Sequence, residues 1–246
     1  MAMDNYRLGF LRKLRINKSM NPATKTTLIR LGCVVAVYIA LVFLAGHHGR
    51  GLMYPVRIFV TILHELGHAL GGIITGGKVE YVRINYDGSG LASVLGGNIP
   101  IIVMGGYVGS ALFGNILFYI GVKAGKMARV TLYLIGAIMI FSALFWFSHL
   151  FSSISQIIFG LVAIGLAYKK WIMPEILMFL GIASLVYIIQ DFNGGPSSDL
   201  ALYAERVRFL SPKIWSYIWL GIVLILTAFN IRMILRRGKR EHLTET

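Results

Sequence analysis

The sequence predicts an all-α polytopic membrane protein, with about six transmembrane helices, one glycine-rich segment that re-enters rather than crosses, and a small β-hairpin. Three observations lead there. The 246 residues are 57% hydrophobic and 14% charged, with a mean hydropathy of +0.72, whereas soluble domains are about half apolar and a quarter charged. Seven apolar segments follow one another along the chain, and a span needs about 20 such residues. Two short stretches break this pattern, one around 78–95 and one at 191–199, which leaves no room for a sizeable soluble domain. Residues 1–27 read as a basic cytosolic tail, 28–235 as the membrane domain and 236–246 as a basic C-terminal tail.

The first segment, 31–45, follows a basic stretch and has no small-residue cleavage pattern after it, as expected of an uncleaved anchor. The second, 56–75, holds His64, Glu65 and His68 inside an apolar run. Next, KVEYVRINY at 78–86 alternates roughly and is rich in strand-forming residues. Asp87-Gly88-Ser89-Gly90 is a turn signal, and LASVL follows, so a hairpin is expected after the second segment. The third segment, 99–122, carries glycines at 105, 106, 109 and 114, which suit either a broken segment or close helix packing.

Segments 130–150, 154–168 and 172–189 complete the middle of the chain. Asn193-Gly194-Gly195-Pro196 cannot continue a helix. A short segment, 200–210, then leads to the last span, 214–235, where Trp215, Tyr217 and Trp219 suit a membrane interface.

The 24 Lys and Arg against ten Asp and Glu give a net charge of +14. Because these bases punctuate apolar runs, membrane orientation explains them and no nucleic-acid partner is expected. With the N-terminus inside and all seven segments crossing, the bases divide 12 to 12. If 99–122 re-enters, 19 lie inside and five outside, and the positive-inside rule favours that topology. The basic ends, including Arg232, Arg236, Arg237, Lys239 and Arg240, are expected to attract anionic lipids, at about 1 kcal/mol per charge near the surface. The lone Cys33 excludes an intrachain disulfide and a thiolate metal cluster.

The sharpest chemical feature is His64-Glu65-Leu66-Gly67-His68. On a helix, positions i and i+4 share one face, one turn apart. Two imidazoles at that spacing can bind one zinc ion, with the intervening Glu65 placed as general base on its water. A glutamate in an apolar span costs about 2–3 kcal/mol if it faces lipid, so it needs a buried or hydrated role.

A catalytic zinc takes a third protein ligand. The remaining acids are few. Asp4, Glu241 and Glu245 lie in the tails, Glu80 and Asp87 in the hairpin, and Glu205 among arginines. Glu175 follows Pro174 at a helix start, where it would stabilise the dipole. Asp199 and Asp191, in the broken stretch, remain; Asp199 is preferred and Asp191 is the alternative. His149 is expected to cap a helix end, and His47-His48 to be solvated.

HELGHALGGIITGG (64–77), KVEYVRINYDGSGL (78–91), GGYVGSALFG (105–114) and SSDLALYAERVRFLSPKIWSYIWL (197–220) together resemble the site-2 protease family of intramembrane zinc metalloproteases. The closest likeness is to its compact bacterial-type branch without a PDZ domain. The resemblance implies zinc held by His64, His68 and a downstream Asp, with Asp199 of the Ser-Asp pair as its counterpart here. It implies Glu65 as activator of the water, a membrane-protein substrate, and the inner membrane of a bacterium. Two motifs depart from better-known members. DFNGGPSSDL stands where they carry an Asn/Pro-rich motif ending Leu-Asp-Gly, and Tyr107 and Ser110 stand in place of a Pro and an Asn.

Hydrolysis of a peptide bond in or near the membrane is therefore the expected activity. The hairpin edge at 79–86 either accepts an extended substrate by strand addition or seals the site's mouth. The alternative function is a non-catalytic zinc-binding scaffold for client helices. A cation transporter would spread its ligands over several spans, whereas this chain gathers them at two places.

Overall fold

The structure is a computed structural model that describes residues 22–48, 51–193 and 198–244, with side chains at 25–44, 51–188 and 199–234. Residues 1–21 and the side chains of the C-terminal tail beyond 234, where the basic tails were read, lie outside the described residues, as do the side chains of His47 and His48. The elements run α1 (Pro22–His48), α2 (Tyr54–Ile74), β1 (Lys78–Ile84), β2 (Gly90–Leu95), α3 (Ile99–Lys123), α4 (Lys126–Phe145), α5 (Leu150–Leu166), α6 (Met173–Asn193), α7 (Ser198–Val207) and α8 (Pro212–Thr244). Among the described residues, five helices are long and apolar enough to cross a membrane by length and composition, and the apolar stretches of α5 and α6 are shorter. The chain is an integral, all-α polytopic membrane protein with one two-stranded antiparallel hairpin among the described residues.

The glycine-rich segment corrects the re-entrant expectation. α3 is one uninterrupted helix of 25 residues, and a re-entrant element must reverse direction within itself. Asn98 caps the helix by accepting the Ile101 N–H at 3.2 Å, and Pro100 sits in the first turn. The glycines are used for close approach instead. A Cβ on Gly67 of α2 would strike the Gly105 carbonyl oxygen, and one on Gly71 would come within 2.9 Å of the Ile101 carbonyl oxygen. On the other side of α3, a Cβ on Gly121 would lie 2.7 Å from the Pro174 carbonyl oxygen of α6. With no side chain between them, the backbones of α2, α3 and α6 touch, which is how membrane helices associate without a hydrophobic driving force. α3 is therefore the central post of the molecule.

Around it, Ile58, Ile62 and Leu66 of α2 pack in one core with Leu132 and Met139 of α4 and Leu177 of α6. α1 is peripheral, meeting this core through Tyr38 against Phe179. Arg30 pins α1 by donating to Glu175 at 2.8 Å, so Glu175 does more than stabilise the α6 dipole. A second core gathers Tyr107, Leu200, Tyr203 and Trp219. Trp219 is 1% exposed and serves this core, whereas its neighbour Tyr217 remains exposed as an interface residue would. Asn115 donates to Thr227 at 3.3 Å and accepts from Asn230 at 3.1 Å, a polar clasp between α3 and α8.

The hairpin lies where expected and pairs from Lys78↔Leu95 to Ile84↔Gly90. Its β1 edge is closed. The Val82 N–H donates to the Trp146 carbonyl at 3.0 Å, and the Ile84 N–H donates to the Ser152 hydroxyl at 3.0 Å. That hydroxyl donates in turn to the Val82 carbonyl at 3.1 Å. Strand addition along 79–86 is thus blocked at Val82 by the C-cap of α4 and at Ile84 by the start of α5. His149 caps that helix, accepting the Ser152 N–H at 3.1 Å as expected.

Candidate metal centre

α2 begins with Pro55 in its first turn, and its next turns carry the polar residues inward. His64 and His68 meet edge to face, their ring centroids 4.7 Å apart. The His68 Nδ1–H donates to the Ile102 carbonyl in the first turn of α3 at 2.7 Å. This bond sets the tautomer and leaves the Nε2 lone pair aimed at His64, in the manner of a metal-ligating histidine.

Three donor atoms converge. His64 Nε2 and His68 Nε2 are 3.0 Å apart, and Asp199 Oδ2 lies 3.1 Å from the first and 3.2 Å from the second. Ligands bonded to a tetrahedral zinc ion at about 2.0–2.1 Å are about 3.3–3.4 Å from one another. Two imidazole nitrogens and one carboxylate oxygen also make the three-ligand set that leaves a fourth position open. Spacing and chemistry therefore fit zinc, and among the described residues this is the cluster able to hold a metal. Asp199 sits in the first turn of α7. Asp191 lies near the end of α6, and its side chain is outside the described residues.

Four helices, α3 to α6, separate the histidines from Asp199. Asp199 nevertheless reaches them from a helix, in the first turn of α7, rather than from an irregular loop. The extra polar groups are boxed in by backbone. A Cβ on Gly106 of α3 would strike His68 Nε2 and come within 2.7 Å of His64 Cε1. Tyr107 meets His64 edge to face at 4.8 Å.

Glu65, 5% exposed, lies under the start of β2. A Cβ on Gly90 would be 2.6 Å from Glu65 Cγ and 2.7 Å from Thr61 Cγ2. Thr61 donates to the Gly88 carbonyl at 2.8 Å. The hairpin thus roofs Glu65 with Gly90 and is tied to α2 through the Gly88 carbonyl of its turn.

Together these residues line a cavity of about 360 Å³. It holds His64, Glu65, His68 and Asp199, plus Ser110 and Arg57. The Ser110 hydroxyl is fully buried without a partner. The structure brings together the four residues preferred from sequence. Gly90, Gly106 and Arg57 were not foreseen there, because their contacts cross between elements far apart in the chain and leave no local pattern.

Fold and site define a multi-pass membrane protein with a half-buried two-histidine, one-aspartate centre beside a roofed glutamate. The family model described as Peptidase M50B-like matches residues 34–230, and the chain belongs to that family, in line with the site-2 protease likeness of its motifs. No curated protein and no solved structure matches the chain.

Proposed function

We propose that the protein is an intramembrane zinc metalloprotease, hydrolysing a peptide bond of a membrane-associated protein. The convergence of His64 Nε2, His68 Nε2 and Asp199 Oδ2 within 3.0–3.2 Å, in one cavity with Glu65, carries this reading. His64, His68 and Asp199 would hold zinc, and a bound ion supplies a Lewis acid for the scissile carbonyl and makes the attacking water more acidic.

The chain's own residues do the rest. The Ile102 carbonyl orients His68. Glu65, shielded by Gly90, accepts the proton of the water and returns it to the leaving amine. The backbone of β2 offers an extended peptide a strand to lie along, now that β1 is closed. The inner membrane of a bacterium as its location, and anionic lipids as partners of the basic ends, belong to the same proposal and rest on the sequence alone.

The deciding experiment pairs zinc analysis with cleavage of membrane peptides in detergent. Wild-type protein should hold one zinc and cleave. Glu65→Gln should keep the zinc and lose cleavage by at least about a hundredfold, the usual weight of a general base. Zinc bound without any cleavage by the wild type would turn the reading to the scaffold alternative.

A further inference from the structure

The cavity extends beyond the metal centre along one stripe of α2. Arg57, Thr61 and Glu65 stand at i, i+4 and i+8, and the hairpin tip lies over all three. Gly88, with φ +80°, rests on Arg57, where a Cβ would be 2.8 Å from Nε. Arg57 is the one lysine or arginine lining the cavity. Its Nε is buried without a partner, and among the described residues it forms no ion pair. The nearby acid, Asp87, attracts Arg57 through space without forming an ion pair with it, and its Oδ1 accepts the Ser89 N–H at 2.9 Å and the Ser89 hydroxyl at 2.7 Å. Nor does Arg57 serve its helix. It lies next to the first turn, where a cation opposes the dipole, and that turn has no acid to offset it.

We propose that Arg57 is a specificity-determining residue that binds the carboxylate of an Asp or Glu in the substrate, three or four residues from the cleaved bond. The distance follows from geometry. Eight helical residues separate Arg57 from Glu65, a rise of about 12 Å, and an extended peptide covers about 3.3 Å per residue. A guanidinium suits a planar carboxylate, which it can grip with two parallel N–H bonds. The proposal rests on the proteolytic reading above.

The test is cleavage-site profiling. Wild type, Arg57→Gln, Arg57→Lys and Arg57→Glu, each loaded with zinc in phospholipid-free detergent, are given a mixed peptide library, and cut sites are read by mass spectrometry. Wild type should show Asp and Glu enriched at least about fivefold at the third or fourth position from the cut, the effect expected of a charge-assisted hydrogen bond. Arg57→Lys should keep much of the enrichment, Arg57→Gln should lose it, and Arg57→Glu should favour Lys and Arg there. Michaelis constants for matched Asp and Ala peptides should differ in the wild type and converge in Arg57→Gln. Cleavage with no acidic enrichment, or enrichment that survives Arg57→Gln, overturns the proposal and leaves the protease reading standing. Absence of any cleavage by the wild type overturns the protease reading itself. In that case, binding of the same Asp and Ala peptides to wild type and Arg57→Gln still measures the carboxylate preference.

Discussion

The metal centre has two unlike halves. One is local: His64, Glu65 and His68 lie on a single helix, and their relation follows from 3.6 residues per turn. The other is remote: Asp199 arrives 131 residues after His68, on a ten-residue helix, after four intervening helices. The local half has its geometry as soon as α2 forms. The remote half has it only when α3 and α6 pack against each other and α7 settles on them. A site so divided ties chemistry to completion of the membrane fold, because the third donor is absent until the last helices are in place.

Ligand deletion probes this contrast most strongly. His64→Ala, His68→Ala and Asp199→Ala should each reduce bound zinc to well below one equivalent, and with it all cleavage. Asp191→Ala should leave zinc near one equivalent. Metal analysis of the purified variants checks this directly. Zinc lost in Asp191→Ala and kept in Asp199→Ala would reassign the remote half while leaving the local half intact.

The same division explains what could be read in advance. The histidine-glutamate-histidine face, the hairpin with its Asp87–Gly90 turn and the cap at His149 depend on neighbours within a few residues, and local rules found them. Asp199 was reached by elimination among ten acids and by likeness to a family, with Asp191 still open. Charge counting pointed to a re-entrant 99–122. It failed because the glycines answer to Gly67 of α2 and to Gly181 and Pro174 of α6, and no counting of bases sees a backbone contact. The β1 edge looked free for the same reason: Trp146 and Ser152, which cover it, come some 65 residues later.

Gly106→Ala sharpens the comparison with a smaller effect. The added Cβ has no room beside the two imidazoles, and overpacking a fixed site costs about 1–3 kcal/mol. Since both rings are ligands in the proposed function, the strain should appear in metal affinity. Zinc binding should weaken by about 10- to 100-fold, the range seen when supporting contacts of a ligand are disturbed, while the helices stay folded by circular dichroism. An equal loss from Gly109→Ala, whose Cβ would make ordinary contact with Gly67 Cα at 3.4 Å, would show that general crowding of α3 is responsible rather than displacement of the histidines.

The smallest effect should come from the hairpin's anchor. Ser152→Ala removes one hydroxyl that accepts the Ile84 N–H and donates to the Val82 carbonyl. It also removes the acceptor of the Gln156 amide at 3.2 Å. The Ile84 N–H is then buried without a partner, a cost of about 1–3 kcal/mol. The Val82 N–H keeps its bond to Trp146, so the hairpin should loosen at one end and stay attached at the other. Hydrogen exchange should quicken at Ile84 by about tenfold or more and much less at Val82. Zinc content should be unchanged, because the four site residues lie on α2 and α7. Cleavage should fall by only a few-fold, through the looser roof that Gly90 makes over Glu65. If zinc content fell as well, the hairpin would have to be counted among the elements that shape the metal centre, and the division into a local and a remote half would need a third part.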